Sequence, residues 1–175
     1  TETHTDPAAT RFHRYEINGL EPNTEYRYSL RAGDVETGPF TSRTAPTETV
    51  SDGRTVRIVS WGDSHYGPTI LEGIINRARD FEPDLICTSG DMIGDGINEY
   101  EWIDHLFHPT RNISPFVPIH FAVGNHDHGS WRLDDAHHDH NPYLDERFEP
   151  AVPPGTGGGA PGTSPYAYSL DYAGV

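Results

Sequence analysis

The chain after residue 55 carries three apolar stretches, and each of them ends directly before a short polar run. The stretches cover residues 56–61, 84–88 and 116–123 and are rich in β-branched and aromatic side chains. Short apolar runs of this composition are typical of buried strands. We therefore expect three buried strands in this part of the chain.

Two segments between these stretches have the spacing of helices. Residues 69–79 carry apolar side chains three and four positions apart. Residues 99–107 form a shorter helix candidate, with Tyr100, Ile103 and Phe107 on one face. Because strands alternate with helices, we expect helical crossovers between parallel neighbouring strands, and hence an α/β (α+β) fold.

The first 46 residues follow a different pattern, in which apolar and polar side chains alternate. This alternation covers residues 14–18 and 25–30 and predicts strands of a β-sandwich. A polar stretch at residues 47–54, which contains the turn signal Asp52-Gly53, predicts a linker. We therefore divide the chain into an all-β part (1–46), a linker (47–54) and an α/β part (55–175).

The composition narrows the kinds of partner. The chain has 27 acidic and 12 basic residues, which gives a formal net charge of −15. This acidity disfavours nucleic acid as the partner, and no apolar stretch approaches the length of a transmembrane helix. A single cysteine, Cys87, excludes an intrachain disulfide bond. Every basic residue is arginine, which favours either a salt-adapted or a GC-rich genome.

A polar run follows each of the three predicted strands, at residues 62–65, 89–91 and 124–127. Any one of these runs is commonly a turn or a surface pair. In open α/β sheets, however, sites are built where the carboxyl ends of the strands meet. Three such runs in order, each at a strand end, therefore favour a single site.

The side chains in these runs are those of a metal site without thiolate. Asp63 and His65 lie two residues apart in a bend, and Asp91 follows a glycine that permits a sharp turn. The carboxylate of Asp91 has two oxygens and can bridge two cations. Asn125 adds a neutral oxygen and His126 a nitrogen, and such a mixed set favours zinc, iron or manganese over copper or an iron–sulfur cluster.

The order Asp63-x-His65, Gly90-Asp91 and Gly124-Asn125-His126-Asp127 resembles the calcineurin-like metallophosphoesterase superfamily. Residues 20–28 resemble the Leu-x-Pro-x-Thr-x-Tyr run of fibronectin type III domains, and residues 40–46 resemble the last strand of such a domain. That tandem is similar to the purple acid phosphatase group. The resemblance implies the N-terminal half of a metallophosphoesterase sandwich, preceded by part of a fibronectin type III-like sandwich.

The resemblance also implies a hydrolase of phosphate monoesters with two divalent or trivalent metal ions, which would be iron, zinc or manganese. We expect Asp91 to bridge the two ions, Asp63 and His65 to hold one of them, and Asn125 to hold the other. A hydroxide between the ions would attack phosphorus in line with the leaving oxygen.

The same resemblance implies which residue is the general acid. His126 would protonate the leaving oxygen, because imidazole titrates near neutral pH. Asp127 would orient and charge that imidazole.

Departures from the pattern bear on the metal and on the substrate. Purple acid phosphatases have a Tyr three residues after the bridging Asp, where it binds ferric iron and gives the colour, but this chain has Gly94. They also commonly have Asp-x-Gly in the first run, where this chain has Asp-x-His. Protein Ser/Thr phosphatases have Asp-Arg-Gly after the second run, so Gly94-Asp95-Gly96 argues against their substrate class.

Two other functions stay open. A phosphodiesterase or 5′-nucleotidase can use the same residues, and a degenerate phosphatase domain can act as a non-catalytic surface binding module.

The superfamily completes its site with one later His and a Gly-His-x-His run, so we expect this chain to be an internal fragment of a longer enzyme. Residues 166–175 resemble the strand pair before those histidines, and residues 134–141 have the composition of a metal-binding cluster or a solvated acidic loop. We expect an extracytoplasmic location by resemblance alone.

Overall fold

The structure is a computed structural model that describes residues 3–5, 13, 15–47, 55–128 and 172. In chain order the elements are β1 (Glu25–Ala32), β2 (Val35–Arg43), β3 (Ile58–Trp61), α1 (Pro68–Ala78), β4 (Leu85–Thr88), α2 (Glu99–Glu101), α3 (His108–Thr110), β5 (Ile119–Phe121) and α4 (Asn125–His128). A 3-10 turn (Arg79–Phe81) follows α1, and a π-helical stretch (Trp102–Phe107) joins α2 to α3.

Strands β1 and β2 form an antiparallel hairpin. The residues between them are Gly33 and Asp34, and the φ of Gly33 is 59°, a left-handed conformation that glycine adopts without steric penalty. The pairing starts at Ala32 opposite Val35. This hairpin confirms the strand predicted at residues 25–30.

The strand predicted at residues 14–18 is wrong for the part of it that the structure describes. Residues 15–18 are not assigned to a strand, and Tyr15 and Ile17 are 52% and 46% exposed. Alternation of apolar side chains produces a strand only where a neighbouring strand and a core are available to it. The linker and the boundaries proposed at residues 46 and 55 stay predictions.

Strands β3, β4 and β5 form a parallel sheet in sequential order. Trp61 pairs with Thr88, and Thr88 pairs with Phe121, so the three strands end in register at one edge. The α/β fold expected for this part of the chain is confirmed. Strand β5 is shorter than the apolar stretch at 116–123, because Pro118 has no N–H to give to a ladder.

Helix α1 covers one face of this sheet. Leu71, Ile75 and Ala78 point inwards and pack with Ile86 of the central strand, and all four side chains are at most 5% exposed. Pro68 opens the helix, where its missing N–H has no intrahelical partner to lose. Burial of these apolar side chains fixes the sheet edge that carries the polar runs.

The second predicted helix forms, but with a different buried face. Tyr100 and Ile103 are 76% and 46% exposed, whereas Trp102 and Leu106 are fully buried beside Met92. The buried residues Trp102, Leu106 and Pro109 keep ordinary helical spacing, so the period was right and the face chosen from it was wrong. The indole N–H of Trp102 donates to the carbonyl of Gly96 at 2.8 Å.

The hairpin contacts the α/β part through a few side chains. The Tyr28 hydroxyl donates to the carbonyl of Pro115 at 2.7 Å. The ring of Phe40 meets Phe116 edge to face, with centroids 5.8 Å apart. These contacts lie before β5, at the sheet edge opposite the polar runs.

Candidate metal centre

The three polar runs follow the aligned strand ends and are joined by backbone hydrogen bonds. Asp63 N donates to Gly90 O at 3.1 Å, and Ser89 N donates to Trp61 O at 2.9 Å. Ala122 N donates to Thr88 O at 3.1 Å. The hydrogen-bond ladders between β3 and β4 and between β4 and β5 therefore continue one residue past the strand ends. This continuation brings the first two polar runs into direct contact.

Three glycines let these runs approach one another at backbone distance. A Cβ on Gly90 would lie 2.6 Å from the backbone N of Gly124, and Gly90 also has a φ of 96°. A Cβ on Gly124 would overlap the carboxylate of Asp91, and one on Gly62 would overlap the hydroxyl of Ser89. At Gly90 and Gly124 the atoms in the way include backbone atoms, so lack of space excludes a side chain there. At Gly62 the atom in the way is the Ser89 hydroxyl, which can rotate aside.

Asp63, His65 and Asp91 form a cluster in which one donor atom from each residue lies within 4.8 Å of the other two. The Nδ1 atom of His65 is 3.3 Å from the backbone carbonyl of Asp91. Because a carbonyl only accepts, Nδ1 carries the hydrogen, and Nε2 is left as the ligand nitrogen. Two carboxylates and one imidazole fit a hard or borderline divalent cation.

Both carboxylate residues of this cluster have left-handed backbone. The φ of Asp63 and of Asp91 is 52° in each case, in the region that non-glycine residues seldom adopt. Such a conformation costs roughly 1–3 kcal/mol and persists only where the surroundings enforce it. Here the backbone N–H of Asp63 is bonded to Gly90 O and that of Asp91 to the Asp127 carboxylate, and the two carboxylates lie close together beyond the sheet edge.

His126 lies directly beside this cluster. Its ring stacks on the ring of His65, with centroids 4.6 Å apart and an angle of 18° between the planes. Its backbone N donates to Oδ1 of Asp91 at 2.9 Å, and its Nδ1 lies 2.8 Å from the carbonyl oxygen of Gly94. Nδ1 must donate in that bond, so Nε2 is the nitrogen available to a substrate.

Asp127 is fully buried, and its carboxylate accepts four backbone N–H groups. Oδ2 accepts from Asp91 and Gly124 at 2.8 and 2.9 Å, and Oδ1 accepts from Met92 and Ile93 at 2.9 and 3.2 Å. Burial raises the pKa of the Asp127 carboxyl, while the four N–H groups act in the opposite direction. The carboxylate therefore ties the second polar run to the third.

This geometry differs from the role expected for Asp127. Its carboxylate holds the loop that carries Asp91, whereas the ring nitrogen of His126 bonds to Gly94. The backbone carbonyl of Gly94 thus takes the orienting position that the sequence interpretation gave to Asp127. A carbonyl has no signature in the sequence, which is why the spacing did not reveal it.

Asn125 is exposed and opens α4, between Gly124 and His126, both of which contact Asp91. The structure therefore brings Asp63, His65, Asp91 and His126 together, with Asn125 at the rim. Its function as a ligand to a second ion stays a prediction. Residues 134–141 and 166–171, which carried further interpretations, lie outside the described residues.

The sequence interpretation missed two side chains next to the site. Tyr66 places its ring edge-on to His65, with centroids 4.2 Å apart, and so close to Gly94 that a Cβ there would be 2.7 Å from it. Glu101 accepts hydrogen bonds from the backbone N of Gly94 and of Asp95. Adjacency to His65 could have indicated Tyr66, but no sequence signal indicates Glu101.

No helix among the described residues has the length and apolar character needed to cross a membrane.

The family model of the calcineurin-like phosphoesterases matches residues 56–174. No curated protein matches the chain. Among solved structures, a purple acid phosphatase isolated from yellow lupin (Lupinus luteus) seeds matches with 22% identity and a TM-score of 0.46, over 61% of this chain and 21% of that one.

Proposed function

We propose that this chain, which belongs to the calcineurin-like phosphoesterase family, is part of an enzyme that hydrolyses phosphate monoesters with two bound metal ions. The observation that carries this proposal is the Asp63–His65–Asp91 cluster at the carboxyl edge of the sheet, with its donor atoms within 4.8 Å of one another. The ring of His126 stacks on this cluster.

The donor set supports a metal site with oxygen and nitrogen ligands. Asp63, His65 and Asp91 would hold one ion, and Asp91 with Asn125 would hold the second; iron, zinc and manganese suit these ligands. When bound, such ions supply positive charge to the phosphoryl oxygens and lower the pKa of water towards ~7. The left-handed backbone at Asp63 and Asp91 holds both carboxylates in place before an ion arrives.

The residues of the chain would then position and protonate the substrate. As an imidazolium, His126 would give its Nε2 proton to the departing oxygen and would keep its Nδ1 hydrogen, which bonds to Gly94. Oδ1 of Asp91 is oriented by the backbone N of His126, so the ligand and the acid are held by the same loop. Asp127 stabilises that arrangement through its four backbone bonds.

The wider architecture is part of the same proposal. The β1–β2 hairpin would belong to a fibronectin type III-like domain over residues 1–46, joined by a linker at 47–54 to the catalytic part, as in the purple acid phosphatase group. We also propose an extracytoplasmic location, by resemblance to that group alone.

Metal removal from the full-length protein tests the proposal. After treatment with a chelator, hydrolysis of p-nitrophenyl phosphate should vanish, and addition of Zn²⁺, Mn²⁺ or Fe²⁺ should restore both activity and two ions per molecule. Full activity in protein shown to be free of metal would refute the metal-dependent mechanism.

The substrate class is tested in the same preparation. We expect p-nitrophenyl phosphate to be hydrolysed faster than bis(p-nitrophenyl) phosphate. Preference for the diester would support the phosphodiesterase alternative instead. Binding of metal with no hydrolysis of either ester would support a non-catalytic surface module.

A further inference from the structure

The carboxylate of Glu101, the last residue of α2, contacts a short piece of backbone and two side chains, one of which is His105, with its Nδ1 3.7 Å from Oε2. Oε2 accepts from the N–H of Gly94 at 2.8 Å and from the N–H of Asp95 at 2.9 Å. Oε1 accepts from the side-chain amide of Asn98 at 3.3 Å. The Glu101 side chain is only 22% exposed, so these bonds are partly shielded from water.

The same piece of backbone bonds to His126. The peptide group between Gly94 and Asp95 offers its N–H to Glu101 and its carbonyl to Nδ1 of His126, at 2.9 and 2.8 Å. One peptide group therefore separates the carboxylate from the imidazole. Hydrogen bonds in such a chain polarise one another, so a carboxylate on the N–H makes the carbonyl a stronger acceptor.

Helix capping alone does not account for these contacts. Asn98 is the N-cap residue of α2, and in a capping box the Glu three residues later bonds to the N–H of the cap residue itself. Here the N–H of Asn98 bonds to the carbonyl of Asp95, and the Glu101 carboxylate reaches past it to residues 94 and 95. The carboxylate thus serves the loop that holds His126 as well as its own helix.

Glycine at position 94 permits this arrangement. A Cβ on Gly94 would lie 2.9 Å from Oε2 of Glu101 and 2.7 Å from the ring of Tyr66. A side chain at this position would displace Tyr66 or Glu101. With glycine there, both stay in place and the backbone carbonyl of Gly94 contacts His126.

We propose that Glu101 is a positioning residue that acts through the Gly94–Asp95 peptide on His126. It keeps the Nδ1–H of His126 on the Gly94 carbonyl, so that Nε2 faces the departing oxygen. The acid is then the imidazolium, which gives its Nε2 proton to that oxygen and is left as the neutral tautomer with hydrogen on Nδ1. This inference rests on the proposed function, in which His126 protonates the leaving group. Glu101 would act through this peptide group and not on the substrate itself.

A leaving-group series in the full-length, metal-loaded enzyme tests this role. Glu101→Gln keeps an acceptor but removes the charge, and Glu101→Ala removes both. We expect kcat for phenyl phosphate to fall about 3–10-fold in the Gln variant and about 10–100-fold in the Ala variant, the range for loss of a supporting hydrogen-bond partner. For p-nitrophenyl phosphate, whose leaving group needs no proton, the loss should stay below about 3-fold.

Asp104→Asn is the matched control, because Asp104 is exposed on the adjoining π-helical stretch and loses the same charge. It should leave both rates unchanged. Equal losses for the two esters in Glu101→Gln, with metal content unchanged, would overturn the positioning role.

Nitrogen NMR of the zinc-loaded protein tests the tautomer directly. The wild type should show hydrogen on Nδ1 of His126, and Glu101→Ala should show a mixture of tautomers. If the variants fail to fold, the wild type still decides, since rapid exchange of the Asp95 amide hydrogen would overturn the proposal. If the wild type hydrolyses no phosphate ester, the proposed function fails, and the tautomer still tests the link between Glu101 and His126.

Discussion

The β1–β2 hairpin and the loops at the carboxyl edge of the parallel sheet both depend on glycine, but for opposite reasons. Gly33 has a φ of 59°, and a Cβ placed on it would meet nothing within 4 Å. Gly124 would bring a Cβ into the carboxylate and backbone of Asp91. In the hairpin glycine supplies a backbone conformation, whereas at the sheet edge it supplies space.

The two regions also differ in how they are held. The hairpin is mostly exposed, and its two strands are held by the hydrogen bonds between them. Tyr28 and Phe40 contact the rest of the described structure. The loops are held by bonds between residues about 35 positions apart, such as Asp127 with Asp91. The register of the hairpin is therefore set by residues close in sequence, whereas the candidate site depends on the tertiary structure.

The largest loss of activity should come from removing the negative charge of Asp91. Asp91→Asn in the full-length enzyme should lower kcat on the order of 10²–10³-fold, the range for loss of one electrostatic contact to the transition state, and should reduce metal content. Asn tolerates left-handed backbone and keeps an oxygen for the His126 N–H, so the fold should persist. Metal analysis with steady-state kinetics checks this, and unchanged metal content with a normal rate would show that Asp91 is no ligand.

A paired glycine substitution tests the comparison itself. Gly124→Ala should lower the free energy of unfolding by about 1–3 kcal/mol through overpacking and should weaken metal binding. Gly33→Ala should lower it by about 1–2 kcal/mol through left-handed strain alone and should leave activity unchanged. Urea unfolding and metal titration of both variants measure these effects. Normal metal affinity in Gly124→Ala would contradict the crowding argument.

The contact between the two regions should contribute less. Tyr28→Phe removes the hydroxyl that donates to Pro115 but keeps the ring that packs on Phe40. We expect a loss of about 0.5–1.5 kcal/mol in unfolding free energy and no change in kcat. Urea unfolding and steady-state kinetics of the same preparation measure the two quantities. A fall in kcat would mean that the hairpin supports the site directly.

The smallest effect should depend on pH. Burial lowers the pKa of His120 below its ordinary value of 6.5, so the folded state binds this proton less readily than the unfolded state. The stability that the neutral ring contributes is fully present above pH 6.5 and is lost as the pH falls towards the lower folded pKa. In metal-free protein, His120→Gln should therefore reduce the loss of stability between pH 7.5 and about 5. Identical pH profiles of urea midpoints would contradict this.

Much of the site could be predicted because its ingredients are local in sequence. Asp63, His65, Asp91 and His126 each follow an apolar stretch that forms a strand, and parallel strands align their carboxyl ends. The structure brings these four residues together, as their positions predicted. The buried face of the second helix was less predictable, because two faces of the segment carry apolar side chains at helical spacing. Only the packing of Trp102 and Leu106 beside Met92 decides which face is buried.

The sequence by itself determined the α/β class, the hairpin strand and the residues that come to the sheet edge, because periodicity, strand ends and glycine positions are all local features. Only the tertiary structure decided which atoms bond there. The Gly94 carbonyl bonds to the ring of His126, and the Asp127 carboxylate accepts four backbone N–H groups. Glu101 bonds to the N–H of the Gly94–Asp95 peptide. Backbone donors and acceptors are the same at every residue, so only the packed fold distinguishes one from another.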